Sequence, residues 1–324
     1  MLYRQLGKWG VRVSEISLGS WLTAGTSVDE KASSDLLHYA FEKGVNFFDT
    51  ANVYGHGAAE LVWGKAIQSL HRDSLFLATK VFFPMGKGPN DKGLSRKHIF
   101  SECHASLKRL NTDYIDLYQT HRFDPETPLL ELVRAMDDLV RQGKILYWGV
   151  SEWPSEKIDQ VVNLAHEINA HPPVSNQPLY NMLHRNIEEA VIPVSWQHGM
   201  GQVCFSPLAQ GVLTGKYKPG HPIPADSRGA HSQNNAFMLG RDLLSEDNLK
   251  KVAKLSALAQ EHGITTAQLA LAWCLRLKEV SSVIVGATKR AQLDDNLAAS
   301  SVKLEEPILR AIEEILGNKP VLAL

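Results

Sequence analysis

The chain of 324 residues is predicted to fold as one α/β domain spanning 1–324: a closed (β/α)8 TIM barrel with an N-terminal β-hairpin and a long insertion after its seventh strand. Three observations carry that prediction. Eight short apolar or aromatic runs recur along the chain. Segments of 12–16 residues with apolar positions at helical spacing separate them, and no Gly/Ser-rich or Pro-rich linker interrupts the alternation.

Taken in order, residues 2–16 (LYRQLGKWGVRVSEI) alternate around a glycine-containing turn and read as a hairpin closing the barrel floor. Barrel strands are expected at 15–18, 46–48, 75–79, 114–120, 145–150, 174–176, 202–205 and 282–285. Their starts lie roughly 28–40 residues apart until the last, which suits parallel strand–helix–strand units. The last strand follows the insertion, which includes 211–244 and at least one further helix. Between the strands, Asp29 or Ser33 can cap a helix over 30–43. Ser95 opens one over 96–110 with Asn111 as its stop, and Thr127-Pro128 opens one that ends near Gly143. A helix from Ser245 to His262 stops at Gly263, and Thr265 or Thr266 begins the next, over 267–277.

The competing architecture is an open, doubly wound sheet. It would place GxGxxG directly after its first strand, where this chain has GSWLTAGT. Two other glycine pairs fall short as well. Gly55-His-Gly57-Ala-Ala-Glu60 has two of three glycines, and Gly211-Val-Leu-Thr-Gly215-Lys216 is one residue too short for a P-loop; both read as loops.

Lys and Arg total 34 against 35 Asp and Glu, so the net charge is −1, and no global field recruits nucleic acid or an acidic membrane. Hydrophobic residues make up 44% and charged ones 21%, which excludes a disordered or coiled-coil chain. Three widely separated cysteines, Cys103, Cys204 and Cys274, fit a reducing compartment better than a disulfide framework. No signal-like run opens the chain and no stretch of 18 apolar residues occurs, so the expectation is a cytoplasmic protein without membrane insertion. No metal is expected. His166-Glu167-Ile-Asn-Ala-His171 resembles HExxH, but its histidines sit five apart, off a common helical face.

In such a barrel, catalytic groups stand where strands end and βα loops begin. The polar residues that follow the runs are Asp49, Lys80, His121, Ser151, Gln177, Ser206 and Thr288, and Tyr54 lies in the loop five residues after Asp49. Each has an ordinary structural explanation when taken alone. Their joint placement on one rim is what points to chemistry. Free tyrosine titrates near a pKa of about 10, and a nearby ammonium lowers that value, so Lys80 is expected to make the Tyr54 phenol more acidic. Asp49 would keep Lys80 charged and fixed, and His121 could hydrogen-bond a substrate oxygen or share the proton. A phenol acid beside an imidazole suits polarisation of a carbonyl while a hydride arrives from elsewhere.

Phe48-Asp49-Thr50-Ala51 with Tyr54-Gly55, Thr79-Lys80, His121 and Trp148-Gly149-Val150-Ser151 resemble the signature of the aldo-keto reductases across the whole chain. Gly93-Leu-Ser-Arg-Lys-His98 and Ala272-Trp-Cys-Leu-Arg276 resemble the branch holding the voltage-gated potassium channel β-subunits and their bacterial relatives. The resemblance implies an NADPH/NADP+ cofactor, a catalytic tetrad of Asp49, Tyr54, Lys80 and His121, and Tyr54 as proton donor. It implies that Ser151 and Gln177 hold the nicotinamide carboxamide and that Phe205 stacks on the ring. Ser206, Pro207, Leu208, Ala209 and Gln210 would follow the pyrophosphate, which explains the missing glycine fingerprint. Lys216, Arg228 and Thr288 would meet the 2′-phosphate and Gln292, Asp295 and Asn296 the adenine, with Ser20, Trp21 and Gly286 on further cofactor positions.

Two departures carry meaning. The channel subunits have Asn where this chain has His121, the residue of more active reductases, and Glu152 replaces a basic residue. The chain begins almost at its hairpin, so the pore-blocking extension of some channel subunits is not expected. The resemblance further implies a homo-oligomer, tetrameric or larger. The expected activity is NADPH-dependent reduction of a small carbonyl substrate, in a pocket with aromatic walls from Trp21, Phe82 and Trp153. An NADP(H)-binding, redox-sensing regulatory subunit with slow turnover is the alternative, and a barrel lyase or isomerase without nicotinamide is a third reading.

Overall fold

The computed structural model describes residues 1–21, 29–230, 238 and 241–320. Parts of the predicted insertion (231–237, 239–240) and most of the loop after the first barrel strand (22–28) lie outside the described residues.

The hairpin comes first, β1 (Tyr3–Gln5) pairing antiparallel with β2 (Arg12–Ser14). The barrel is built from β3 (Ile16–Gly19), β4 (Phe47–Asp49), β5 (Phe76–Val81), β6 (Ile115–Thr120), β7 (Ile145–Ser151), β8 (Ser175–Gln177), β9 (Gly201–Cys204) and β10 (Val280–Val285). All eight run parallel, and β10 pairs with β3 to close the cylinder, as the sequence predicts. Closure removes every edge of the barrel sheet and leaves two distinct ends. The hairpin covers the end where strands begin: Leu6 and Val13 pack with Phe47, Phe76, Leu117, Val174 and Val203 in one buried cluster. The opposite rim is left for chemistry.

The predicted caps set the helix starts. Asp29, Ser95, Ser245 and Thr265 each accept a backbone N–H with their side chains, ahead of the helices Glu30–Glu42, Arg96–Leu110, Glu246–Glu261 and Thr266–Leu275. Asn111 stops the second of these in the left-handed conformation at φ 50°. Helices Ala58–Ala66, Leu129–Arg141 (directly after Pro128), Ser155–Glu167, Val191–Gln197, Arg290–Ala298 and Glu306–Leu316 complete the described outer layer. Two buried apolar clusters fill the space between strands and helices. Gly149 on β7 lets neighbouring strands meet closely: a Cβ there would stand 2.4 Å from Ser175 Oγ. Among the described residues no helix is long and apolar enough to cross a membrane.

Candidate active site

Asp49, Ser151 and Gln177 are the last residues of β4, β7 and β8, Lys80 is the penultimate residue of β5, and His121 follows β6 directly. Parallel pairing places Ser151 beside Gln177 and Lys80 beside Gln119. The polar groups therefore converge on one rim, and they sit inside the hydrogen-bonded ladder more than beyond it. Such burial is tolerated because the groups satisfy one another.

Lys80, with no exposed surface, is the hub. Its Nζ donates to Asp49 Oδ1 at 2.6 Å, to the Thr50 carbonyl at 2.7 Å and to Tyr54 Oη at 3.4 Å, so its three protons are matched to three oxygens. Burial alone would lower the lysine pKa, but the charges of Asp49 and Tyr54 outweigh it and hold the group above its ordinary value. Asp49 Oδ2 accepts from Gln177 Nε2 (2.9 Å) and Gln119 Nε2 (3.4 Å).

The phenol differs from expectation. Burial raises the Tyr54 pKa, and the opposing pull of Lys80 does not overcome it, so the net shift is upward where the sequence argument predicts a more acidic group. Low-dielectric surroundings penalise phenolate more than one ammonium, already neutralised by Asp49, can favour it. His121 sits beside Tyr54 with ring centroids 5.7 Å apart, and Phe83 closes its other side at 4.9 Å. Burial, then the charges of Lys80 and Arg122, push the imidazole well below its ordinary pKa. It is a neutral hydrogen-bonding group at physiological pH.

Tyr54 reaches the rim through a local conformation that the Gly-His-Gly sequence encodes. Gly55, His56 and Gly57 have φ of 57°, 56° and 93°, and a Cβ on Gly57 would lie 2.9 Å from Arg109 Cδ. Arg109 Nε donates to Glu60 (2.6 Å) and Nη2 to Glu102 (3.2 Å). Glu60 accepts from Thr79 Oγ1 (2.6 Å) and Glu102 from Asn52 Nδ2 (3.0 Å). This network ties the tyrosine loop to the strand that carries Lys80. Replacing Arg109 by Met strands Glu60, a carboxylate with no exposed surface, so urea unfolding should show a loss of about 3–5 kcal/mol.

A cavity of about 910 Å3 opens above these groups, large enough for a small substrate and a cofactor together. Trp21, Ser151, Gln177, Phe205, Ser206, Pro207, Leu208 and Gln210 line it, as do Lys216, Arg228, Gly286, Thr288, Gln292, Asp295 and Asn296. Ser151 Oγ donates to the Gln177 carbonyl (2.8 Å), and Gln177 Oε1 has no protein donor among the described residues. Beyond β9 the chain coils through positive φ at Ser206 (52°), Ala209 (46°), Gln210 (59°) and Gly211 (94°). Gln210 joins this coil to the insertion, its Nε2 on Ser206 Oγ and its Oε1 on Arg228 Nη1. Thr288 precedes the helix Arg290–Ala298 and is held by Gln292 Oε1, which accepts from its N–H (2.9 Å) and Oγ1 (3.1 Å).

Four of the expected pocket positions are not on the cavity wall. Ser20, between the lining residues Gly19 and Trp21, is buried, its N–H donated to the Asp49 carbonyl (3.0 Å) and its hydroxyl to Thr50 (2.7 Å). Ala209 is also fully buried, its N–H bonded to the Ser206 carbonyl (2.9 Å). Phe82 packs against the apolar core and Trp153 stacks edge-on with Phe123 at 5.0 Å, so neither walls the pocket. Phe83 does so instead, one residue further along. Arg122 and Asp226 also line the cavity. The sequence held a signal for Arg122 alone, because it extends the polar strand end begun by His121.

The sequence pattern of the aldo/keto reductase family matches residues 15–316. This chain belongs to that family. The reductase pattern begins just after the hairpin and spans the whole barrel. Among curated relatives, the "Probable voltage-gated potassium channel subunit beta" of Arabidopsis thaliana is 44% identical over 99% of this chain and 98% of its own length. The protein of the same description from Oryza sativa subsp. japonica is 43% identical over 99% and 98%. The "Putative voltage-gated potassium channel subunit beta" of Schizosaccharomyces pombe is 41% identical over 98% and 94%. Both the family and the channel-subunit branch that the motifs resemble are therefore shown.

Proposed function

We propose that this aldo/keto reductase family member reduces small aldehydes and ketones with NADPH. The contact of Lys80 Nζ with both Asp49 and Tyr54 Oη, on the rim of a cavity wide enough for cofactor and substrate, is the observation that carries the reading. The cavity's own groups fit a nicotinamide dinucleotide. Ser151 and Gln177 Oε1 present acceptors suited to a carboxamide, and Lys216 and Arg228 present two cations suited to a 2′-phosphate. When bound, the nicotinamide supplies the hydride. The remaining work falls to the chain. His121, neutral, hydrogen-bonds the substrate oxygen and orients it; Tyr54 Oη gives up the proton; Lys80, held by Asp49, stabilises the phenolate left behind. In this reading the enzyme works in the cytoplasm as a homo-oligomer of four or more subunits, which light scattering of the purified protein tests.

An aldehyde panel followed through NADPH absorbance tests the activity. Rapid steady-state oxidation is the expected result. The relatives' descriptions favour a second reading, an NADP(H)-holding regulatory subunit, and cofactor that stays bound without turnover would decide for it. The pKa directions set the pH profile. With Tyr54 raised and His121 lowered, the phenol is protonated and the imidazole neutral from about pH 6 to 8, so kcat for reduction should be flat there. A loss of rate centred near about pH 6.5 would contradict a neutral His121.

A further inference from the structure

The reaction proposed above leaves the guanidinium of Arg122, on the pocket wall beside the reacting groups, without a role. Arg122 lines the cavity together with Tyr54, Phe83 and His121, and it is half-buried. Its Nη1 donates to the His121 carbonyl (2.5 Å), and the guanidinium stands 5.6 Å from the centre of the Phe83 ring. These contacts fix the group against the reacting side chains. Among the described residues Arg122 forms no ion pair, and the segments outside them contain no Asp or Glu.

The carboxylates of Asp49 and Glu152 are engaged elsewhere. Asp49 holds Lys80, and Glu152 Oε1 accepts the Leu179 N–H at 2.6 Å. Asp295, on another part of the wall, is held by Thr265 and Gln268, and Asp226 comes from the insertion. Burial lowers the Arg241 pKa, Glu152 opposes it and the Arg122 charge adds to it, so Arg241 brings Arg122 a like charge and no anion. The wall beside His121 therefore carries positive charge that no protein anion at Arg122 offsets. A partly desolvated guanidinium offers a planar fork of donors whose natural complement is a carboxylate or phosphate.

We propose that Arg122 is an anion subsite that binds a carboxylate or phosphate carried a few bonds from the substrate carbonyl, and so makes anionic carbonyl compounds the preferred class. This rests on the reductase reading of the same cavity. Lys216 and Arg228 belong to another part of the wall: Arg228 bonds Gln210 in the coil after β9, and Lys216 lies over Gly211 of the same coil.

Matched probes test it. NADPH oxidation is measured with butanal against 4-oxobutanoate, and with glyceraldehyde against glyceraldehyde 3-phosphate, in wild type, Arg122→Gln and Arg122→Lys. The charged-to-neutral ratio of kcat/KM should exceed one in wild type, fall about 10- to 100-fold in Arg122→Gln and recover in part in Arg122→Lys. The pair with the larger ratio tells carboxylate from phosphate. Calorimetric titration of 4-hydroxybutanoate and glycerol 3-phosphate into the cofactor-loaded protein gives a readout independent of turnover. Arg122-dependent binding without turnover would retain the subsite and overturn the reductase reading. Neutral-aldehyde turnover with an unchanged ratio would overturn the subsite alone.

Discussion

Replacing Tyr54 by Phe should abolish carbonyl reduction while leaving NADPH affinity nearly intact. The substitution removes one oxygen, the acceptor that Lys80 Nζ meets at 3.4 Å, and keeps the ring that packs 5.7 Å from His121. A positioned general acid contributes about 10²–10⁴-fold, which water in the cavity, neither fixed nor tuned, does not replace. The loss should appear in kcat, since the hydroxyl acts on a proton that moves only during reaction. Lys80 keeps Asp49 and the Thr50 carbonyl as partners, so the variant should fold. Single-turnover measurement with saturating NADPH and a short aldehyde checks the result. Near wild-type turnover would remove Tyr54 from the role and transfer the proton to His121 or water.

Removing the two cations near the coil after β9 should separate the cofactors. Lys216 lies over Gly211, where an added Cβ would come within 3.2 Å of its Nζ, and Arg228 is bonded to Gln210 with its guanidinium 5.8 Å from the Trp21 ring. Both line the cavity. A 2′-phosphate brings a charge of nearly −2, and each charge-assisted contact to it is worth about 1.5–3 kcal/mol. The double substitution Lys216→Ala with Arg228→Ala should therefore raise the Kd for NADPH by about 10²-fold or more while moving that for NADH far less. Fluorescence titration of both cofactors on the wild type and variant measures the split. Equal weakening of the two would show that these residues hold the loop and not the phosphate.

The barrel was readable because parallel strands buried on both faces appear as short apolar runs, and the predicted starts lie within two residues of those observed. Strand ends were harder to place. Lys80 lies inside β5 and not after it, because Asp49 and the Thr50 carbonyl satisfy a charge that would otherwise end a buried strand. The rim residues could be found from their position in the chain, but whether a loop residue turned inward could not. Phe82 and Phe83 are identical in type and adjacent, and only packing decides that the second faces His121. Ser20 and Ala209 stand next to cavity residues, yet their N–H groups already serve the Asp49 and Ser206 carbonyls.

By itself the amino-acid sequence determined the alternation of strands and helices, the capped helix starts, and which acid, base, phenol and imidazole meet on one rim. Those follow from local periodicity and from the constancy of strand direction in a closed parallel barrel. Only the tertiary structure decided the direction of the Tyr54 shift, the neutrality of His121 and the absence, among the described residues, of an ion pair at Arg122. Each of these depends on desolvation and on distances between charges far apart in the chain, and neither quantity exists until the barrel closes around them.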